Sequence, residues 1–324
     1  MNKKFTFIDL FAGCGGLSLG LEQAGLFPLY VNEINKDAMK TYHLNRIHKY
    51  PHLADPKFFS YDIKDCINSQ FFRNLKKNLK EEFGSSEVDL ICGGPPCQGF
   101  SGIGIRRSYE VDKFKLPSNH LYEDMANFID KMQPKIFLFE NVRGLLTARW
   151  KKDGKKGEIF KDVFRTFKLL KGYDVKYKLI QSKDYGVPQN RPRILIIGIK
   201  KNIFTNKFFD NTDDALEAGF LPKGKNDYPS LFDVLSDIID VNFQNGGKTN
   251  QYPSKPKNLW QKNIRKMQNG KIAKKGDLLL SRDLDGNDDH CVIDQYISLT
   301  PLKFELTDEV EYQRFKFNEN KFNL

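Results

Sequence analysis

The stretch GGPPCQGFS, Gly93 to Ser101, mounts a thiol in a setting that a packing cysteine does not need. Pro95 and Pro96 fix φ and bias the residues before them toward extended backbone, so the chain leading into Cys97 is held in nearly one shape. The flanking glycines allow a sharp turn and a close approach by a ligand. That is how a chain would present a nucleophile. Further on, FENVRG (Phe139 to Gly144) leaves Glu140 at the end of the apolar run KIFLF. A carboxyl there is expected either to be partly desolvated, with a raised pKa suited to proton donation, or to be a solvated carboxylate at a strand end. QNRPRILIIGI (Gln189 to Ile199) places Arg191 and Arg193 two apart at the start of a strand. They therefore share a face, a geometry that suits anion or carbonyl recognition and equally suits surface charge.

A second constellation lies nearer the N-terminus. DLFAGCGGLSLG (Asp9 to Gly20) reads as a strand, a glycine-rich turn and a helix whose N-terminus favours a negative group. Glu33 closes the next apolar run, where a carboxylate can accept hydrogen bonds from ribose hydroxyls. Together they suit an adenosyl cofactor. The spacing is not G-x-G-x-x-G and no P-loop lysine follows, which argues against a dinucleotide or ATP. Taken alone, such a turn is as compatible with a purely structural role.

The elements that must position these residues alternate up to about Lys200. FTFIDL, PLYVNE, FFSYD, VDLIC, KIFLFEN, YDVKYKLI and RILIIGI read as strands. Between them LSLGLEQAG, KDAMKTYHLNR, SQFFRNLKKNLKEEFG, LYEDMANFIDKM and GEIFKDVFRTFKLLKG read as helices. This pattern predicts an α/β fold with a mostly parallel sheet covered on both faces, binding its ligand at the carboxyl ends of the strands. The expected organisation is a catalytic domain over 1–200 and a smaller region over 201–324. The second region is rich in Asn, Lys, Gly and Pro and reads as loops or a loosely built domain. Its basic segment NLWQKNIRKMQNGKIAKKG could face phosphates or water.

With 324 residues, 40% hydrophobic and 29% charged, the chain has the composition of a soluble globular protein. Its net charge of +11 is compatible with a polyanionic partner. The cysteines Cys14, Cys66, Cys92, Cys97 and Cys291 form an odd set without a CxxC pair, which argues against a disulfide framework and a zinc site and for a reducing, cytoplasmic setting. MNKKFTFIDLFAGC superficially resembles a lipoprotein export signal, but Asp9 breaks a short apolar run, so export is not expected. No segment approaches the ~20 apolar residues of a membrane span.

In this order and at strand ends, DLFAGCGG, GGPPCQGFS, ENVRG and QNRPRI resemble the cytosine-C5 DNA methyltransferase family, over about the first two hundred residues. The resemblance implies a Rossmann-like S-adenosylmethionine-dependent fold acting on double-stranded DNA. It also implies that Phe11 packs on the adenine, Glu33 holds the ribose and Asp62 meets the adenine amino group. Gly13, Gly15 and Gly16 would form the turn around the methionine portion, with Pro95 and Leu121 also at the cofactor. Cys97 would be the nucleophile, Glu140 would contact cytosine N3 and the exocyclic amine, and Arg191 and Arg193 would hold the base and the active-site loop. Gln98 and Ser101 would shape that loop. Cytosine C5 is a poor nucleophile toward a methyl sulfonium, and a thiolate adding at C6 makes it enamine-like once the base is flipped out of the duplex. Cys92 reads as packing, and Cys14, Cys66 and Cys291 receive no chemistry.

The family's C-terminal GN-x-V-x-P-like motif is not found, since DGNDDH lacks the following Val and Pro. The resemblance therefore implies one of three things: a subunit of a split enzyme completed by a second polypeptide, a truncated product, or a compact variant. The split reading expects an apolar surface beside the first strand and the Gly13 to Gly16 turn. The family context implies the modification enzyme of a restriction–modification system whose cognate endonuclease acts on the same site. Alternatives are an RNA cytosine-C5 methyltransferase and a non-catalytic DNA-binding remnant. The target sequence is not legible, and the basic tail around Arg265 and Lys275 is expected to make phosphate contacts at most.

Overall fold

The computed structural model describes residues 4–96, 120–151, 153–187, 189–201, 203, 212–224, 229–239, 251–265, 271–272 and 274–276. The alternating pattern folds into a seven-stranded sheet made of β1 (Thr6–Leu10), β2 (Phe27–Asn32), β3 (Phe59–Ser60), β4 (Leu90–Gly93), β5 (Ile136–Val142), β6 (Tyr173–Gln181) and β7 (Pro192–Lys200). Its order is β3-β2-β1-β4-β5-β7-β6. The pairs β1–β2, β2–β3, β1–β4 and β4–β5 are parallel, whereas β7 runs antiparallel to both β5 and β6. From β1 the chain winds outward to β3, then crosses back to place β4 on the other side of β1. This reversal opens a crevice at the carboxyl ends of β1 and β4, where open α/β sheets bind ligands.

The helices α1 (Gly16–Gln23), α2 (Lys36–Leu44), α3 (Ser69–Phe83), α4 (Leu121–Met132) and α5 (Glu158–Lys168) follow the predicted periodicities. One sheet face buries Ile8, Leu10, Ile91, Phe137, Phe139, Ile194 and Ile196 beneath apolar stripes of the helices. Those stripes are Phe72, Leu75 and Leu79 of α3, Met125, Phe128 and Ile129 of α4, and Ile159, Val163 and Phe167 of α5, each at three- or four-residue spacing. Each such side chain contributes about 1.5–3 kcal/mol. Helix α3 is bounded as its sequence dictates: the Asn68 side chain accepts the Phe71 N–H at 2.8 Å, and Gly84 closes it at φ +75°. On the opposite face Phe7, Leu90 and Cys92 are buried, and Leu17, Leu21, Leu26, Ile136 and Leu138 pack against them half-buried. Among the described residues no helix is long and apolar enough to cross a membrane.

The chain divides into two compact units. The first comprises Met1–Met39, Arg46–Gln181 and Arg191–Lys223; the second comprises Lys40–Asn45, Ser182–Asn190 and Gly224–Leu324. In the second unit α6 (Leu231–Leu235) starts at a capping box of Ser230 and Asp233, and α7 (Leu259–Ile264) follows. Arg265, expected from sequence to face phosphates, is completely buried. Its guanidinium pairs with Asp237 at 2.5 Å, donates to the Ser254 carbonyl at 2.8 Å and lies 3.9 Å from the centre of the Tyr252 ring. Among the described residues the pair is buried with Val234, Ile238 and Tyr252, so this arginine is withdrawn from any polyanion. Lys275 is exposed, in keeping with its polar segment.

Candidate active site

At the ends of β1, β2 and β3 the site is made mainly of backbone. Phe11, immediately after β1, adopts φ +58°, a conformation that bulky side chains rarely hold without compensation. Its ring is half-buried against the core. The Ala12 N–H donates to the Asn32 carbonyl at 3.0 Å, which ties the start of the turn to the end of β2. Glu33 is almost wholly buried and serves the turn directly. One carboxylate oxygen accepts the Gly13 N–H at 2.7 Å and the other accepts the Asn35 N–H at 2.8 Å. Gly15 caps α1 at φ +91° with no side-chain cap, a backbone state that favours glycine. A Cβ placed on Gly13 or Gly16 meets nothing within 4 Å, so this side of the turn is open.

The end of β3 is locked to β2 by Asn32, whose side-chain amide donates to the Ser60 hydroxyl at 2.8 Å and to the Tyr61 carbonyl at 3.0 Å. Asp62 follows, and its carboxylate accepts the Lys64 N–H at 2.9 Å. Leu121 opens α4 and packs half-buried on the core. Ile34, 66% exposed, directly follows Glu33 and presents an apolar surface that sequence reasoning did not single out.

Asp9 was also missed, having been read only as a charge that interrupts an apolar run. It is buried in β1 and accepts the Ser18 hydroxyl of α1 at 2.6 Å. Burial pushes its pKa up to about 6, against the opposing effects of Ser18, Arg46 and Cys92. The available signal was its place in a central strand covered on both faces, where no side chain reaches water. Cys92 is packing, as expected, its thiol lying 3.5 Å from the Ile8 carbonyl. Cys66, whose sequence context is polar, is buried against Tyr30 and the Ser60 hydroxyl.

At the ends of β4, β5 and β7 the site is made of charged side chains. A Cβ on Gly94 would lie 2.9 Å from Glu140 Oε2, and one on Gly93 would lie 2.7 Å from the Leu10 carbonyl. The paired glycines thus let β4 end against both neighbours. The Asn141 side chain donates to the Pro95 carbonyl at 3.1 Å and fastens the ENV stretch to the buried first proline of PPC. Glu140 is 31% exposed and ion-paired to Arg193 Nε at 2.5 Å. Of the two settings the sequence left open, the half-exposed strand-end carboxylate is the one that forms, here paired with an arginine. Alternation along β5 sends Phe139 and Asn141 inward and leaves Glu140 on the half-exposed side. Antiparallel register sets Val142 opposite Arg193, which brings that arginine diagonally onto Glu140. Arg191 lies within electrostatic reach of both: burial, then repulsion from Arg193, pushes its pKa down to about 10, opposed by Glu140. Two cations thus face one carboxylate. Cys97, Gln98, Ser101 and Cys291 lie outside the described residues.

A glycine turn after β1 and a carboxylate–arginine pair at the end of β5 thus stand at the same end of a sheet with a topological switch point, where open α/β folds bind their ligands. The profile of the C-5 cytosine-specific DNA methylase family matches residues 5–316, well beyond the motif-bearing first two hundred, and the chain belongs to this family. Among curated relatives, the type II methyltransferase M.DdeI of Desulfomicrobium norvegicum is 34% identical over 262 residues, covering 81% of this chain and 55% of the relative. M1.HphI of Haemophilus parahaemolyticus is 36% identical over 196 residues, covering 60% and 46%. The crystal structure of a prophage-encoded candidate DNA modification methyltransferase of E. coli aligns with a TM-score of 0.52 and 28% identity, covering 74% of this chain and 56% of that one. The chain spans about half the length of the curated relatives it matches.

Proposed function

We propose that this chain transfers a methyl group from S-adenosylmethionine to C5 of cytosine in duplex DNA, as the modification enzyme of a restriction–modification system or as one subunit of it. The observation that carries this reading is the joining of Glu140, Arg193 and the end of β4 at Gly94 and Pro95, two residues before Cys97 in the sequence, through Gly94 and the Asn141–Pro95 bond.

The turn fits the cofactor. Gly13 and Gly16 leave open space, Phe11 and Ile34 offer apolar surface, and Glu33 and Asp62 each have acceptor capacity beyond their backbone bonds. Gly13, Gly15 and Gly16 would hold the methionine portion, Glu33 the ribose, and Phe11, Asp62, Pro95 and Leu121 the adenosyl group. When bound, S-adenosylmethionine supplies an electrophilic methyl group. On the base, the Cys97 thiolate adds to C6 and raises the electron density at C5, while Glu140 meets the charge developing at N3 and the exocyclic amine. Arg193 orients Glu140, and Arg191 adds a second cation beside the base. Loss of the C5 proton then expels the thiolate and restores the aromatic ring.

Gln98 and Ser101 would shape the loop after Cys97. The catalytic region would occupy 1–200 and a partial recognition region 201–324, in a cytoplasmic protein whose cognate endonuclease cuts the same site. Half-buried Leu17, Leu21 and Leu138 offer the apolar surface on which a second polypeptide would seat. The test is transfer of labelled methyl groups to duplex DNA, with transfer RNA as competitor, by the chain alone and with the neighbouring gene's product. Labelled cytosine in DNA, lost in Cys97→Ala, is expected. Labelling of RNA alone, or transfer undiminished in Cys97→Ala, would overturn the reading.

A further inference from the structure

We propose that Arg46 is a positioning residue for the cofactor turn, acting through the Gly15 carbonyl; the proposal rests on the cofactor reading above. Arg46 follows α2, and its side chain is 3% exposed. Two of its contacts lie far away in sequence. Nε donates to Glu22 Oε1 at 2.6 Å, and Nη2 donates to the Gly15 carbonyl at 2.7 Å. Glu22 lies in the last turn of α1 and is itself only 7% exposed, so one planar guanidinium grips both ends of that helix.

The placement is informative because it is unfavourable by itself. A helix N-terminus carries partial positive charge and repels a cation, so a pair serving stability alone would not be sited there. Gly15 has no side chain with which to cap α1, and its carbonyl already accepts the Leu19 N–H at 2.9 Å. The second bond, from Arg46, reinforces the direction that the intrahelical bond gives that carbonyl, at the first turn of a short helix, where helices fray. Across a planar trans peptide the C=O and the following N–H point in opposite directions. Holding the Gly15 carbonyl toward Arg46 therefore turns the Gly16 N–H away from it. Gly16 is exposed, and a Cβ built there meets nothing within 4 Å. The Gly16 amide belongs to the first turn of α1, whose N–H groups have no intrahelical acceptor, and would serve as a donor to an anionic group such as the carboxylate of an amino-acid moiety. Glu22 has the complementary task of balancing the buried cation.

Removing Arg46 alone would leave Glu22 charged, buried and unpaired, and would destabilise the fold whatever the role of Arg46. The decisive variant is therefore Arg46→Met/Glu22→Gln, which removes both charges while the turn's sequence stays intact. Binding of S-adenosylhomocysteine to the full chain is measured by calorimetry, beside thermal unfolding. The expected result is a melting temperature close to that of the parent with binding weakened about tenfold, the scale of a lost charge-assisted hydrogen bond. Arg46→Lys keeps the charge and serves if the double variant does not fold: one ammonium cannot serve both partners with the guanidinium's geometry, so it should also weaken binding. Parental affinity in the double variant, or in Arg46→Lys, would overturn the proposal. Amide exchange without ligand supplies an independent arm. Exchange across 13–19 should quicken in either variant while β4 and β5 stay protected, and unchanged exchange would overturn the proposal. Should the parent chain bind no S-adenosylhomocysteine, the cofactor reading fails on its own, and the exchange arm still decides whether Arg46 holds the turn.

Discussion

The two sides of the crevice are built by opposite means. At the ends of β1 and β2, polar side chains serve the backbone: Glu33 accepts two main-chain N–H groups, Arg46 grips a carbonyl, and Asp9 holds Ser18. The chain itself takes unusual conformations there, at Phe11 above all. At the ends of β5 and β7 the backbone is regular strand, and side chains are presented directly as an ion pair, Glu140 with Arg193, beside Arg191. The difference teaches that the first side fixes the path of the backbone and the second fixes the position of charge; on the proposed reading the one would bind cofactor and the other would act on the base. Substitutions on the first side should therefore change cofactor affinity, and those on the second should change turnover.

The largest effects are expected on the charged side. Cys97→Ala or Glu140→Gln should lower kcat by on the order of 10³-fold or more while cofactor binding by calorimetry is retained. A comparable loss of binding in either variant would break the division. Gly94→Ala sharpens it, because the added Cβ would stand 2.9 Å from Glu140 Oε2 and displace the carboxylate. Steady-state kinetics should then show kcat down about 100-fold with the cofactor KM little changed. On the other side Phe11→Gly removes the ring but relieves the left-handed strain. The cofactor KM should rise about tenfold with kcat nearly unchanged, while the melting temperature falls only modestly because the relieved strain offsets part of the packing lost on the core.

The smallest effect on turnover is expected at Asp9, whose signature is pH-dependent stability. Its carboxyl pKa is raised by burial from 3.8 to about 6 in the folded chain, so its contribution is full below pH ~4 and is lost as pH rises through ~6. Asp9→Asn escapes that loss. Its stability relative to the parent, from denaturant titrations, should rise by about 2–3 kcal/mol between pH 4 and 7 and then level off. A flat difference would show that Asp9 ionises without cost amid Ser18, Cys92, Arg46 and Glu33.

How much of this was legible in the sequence also divides along the two sides. Strand and helix positions followed from periodicity, because apolar alternation and three- or four-residue stripes are local properties. That GGPP, ENV and QNRPR lie at strand ends was legible, but their meeting at one end of the sheet depends on the strand order and the antiparallel β7, which no local pattern encodes. Arg46 was illegible, since its partners lie 24 and 31 residues away and no local pattern marks a cation bound for the interior. Arg265 was misread for the same reason: a basic stretch signals a solvated face, yet Asp237 draws this one residue inward. The setting of Glu140 needed the register of β7, which brings an arginine onto a carboxylate whose strand alone left its partner open.

The most direct test of the charged side's role uses a duplex with 5-fluorocytosine at the target position. Fluorine cannot leave C5 as a proton does, so the thiolate that added to C6 stays attached after methyl transfer. With S-adenosylmethionine present, the expected result is a covalent protein–DNA adduct mapped by mass spectrometry to the Cys97 peptide and absent in Cys97→Ala. An adduct at another residue, or methylated cytosine made by the Cys97→Ala chain, would contradict it.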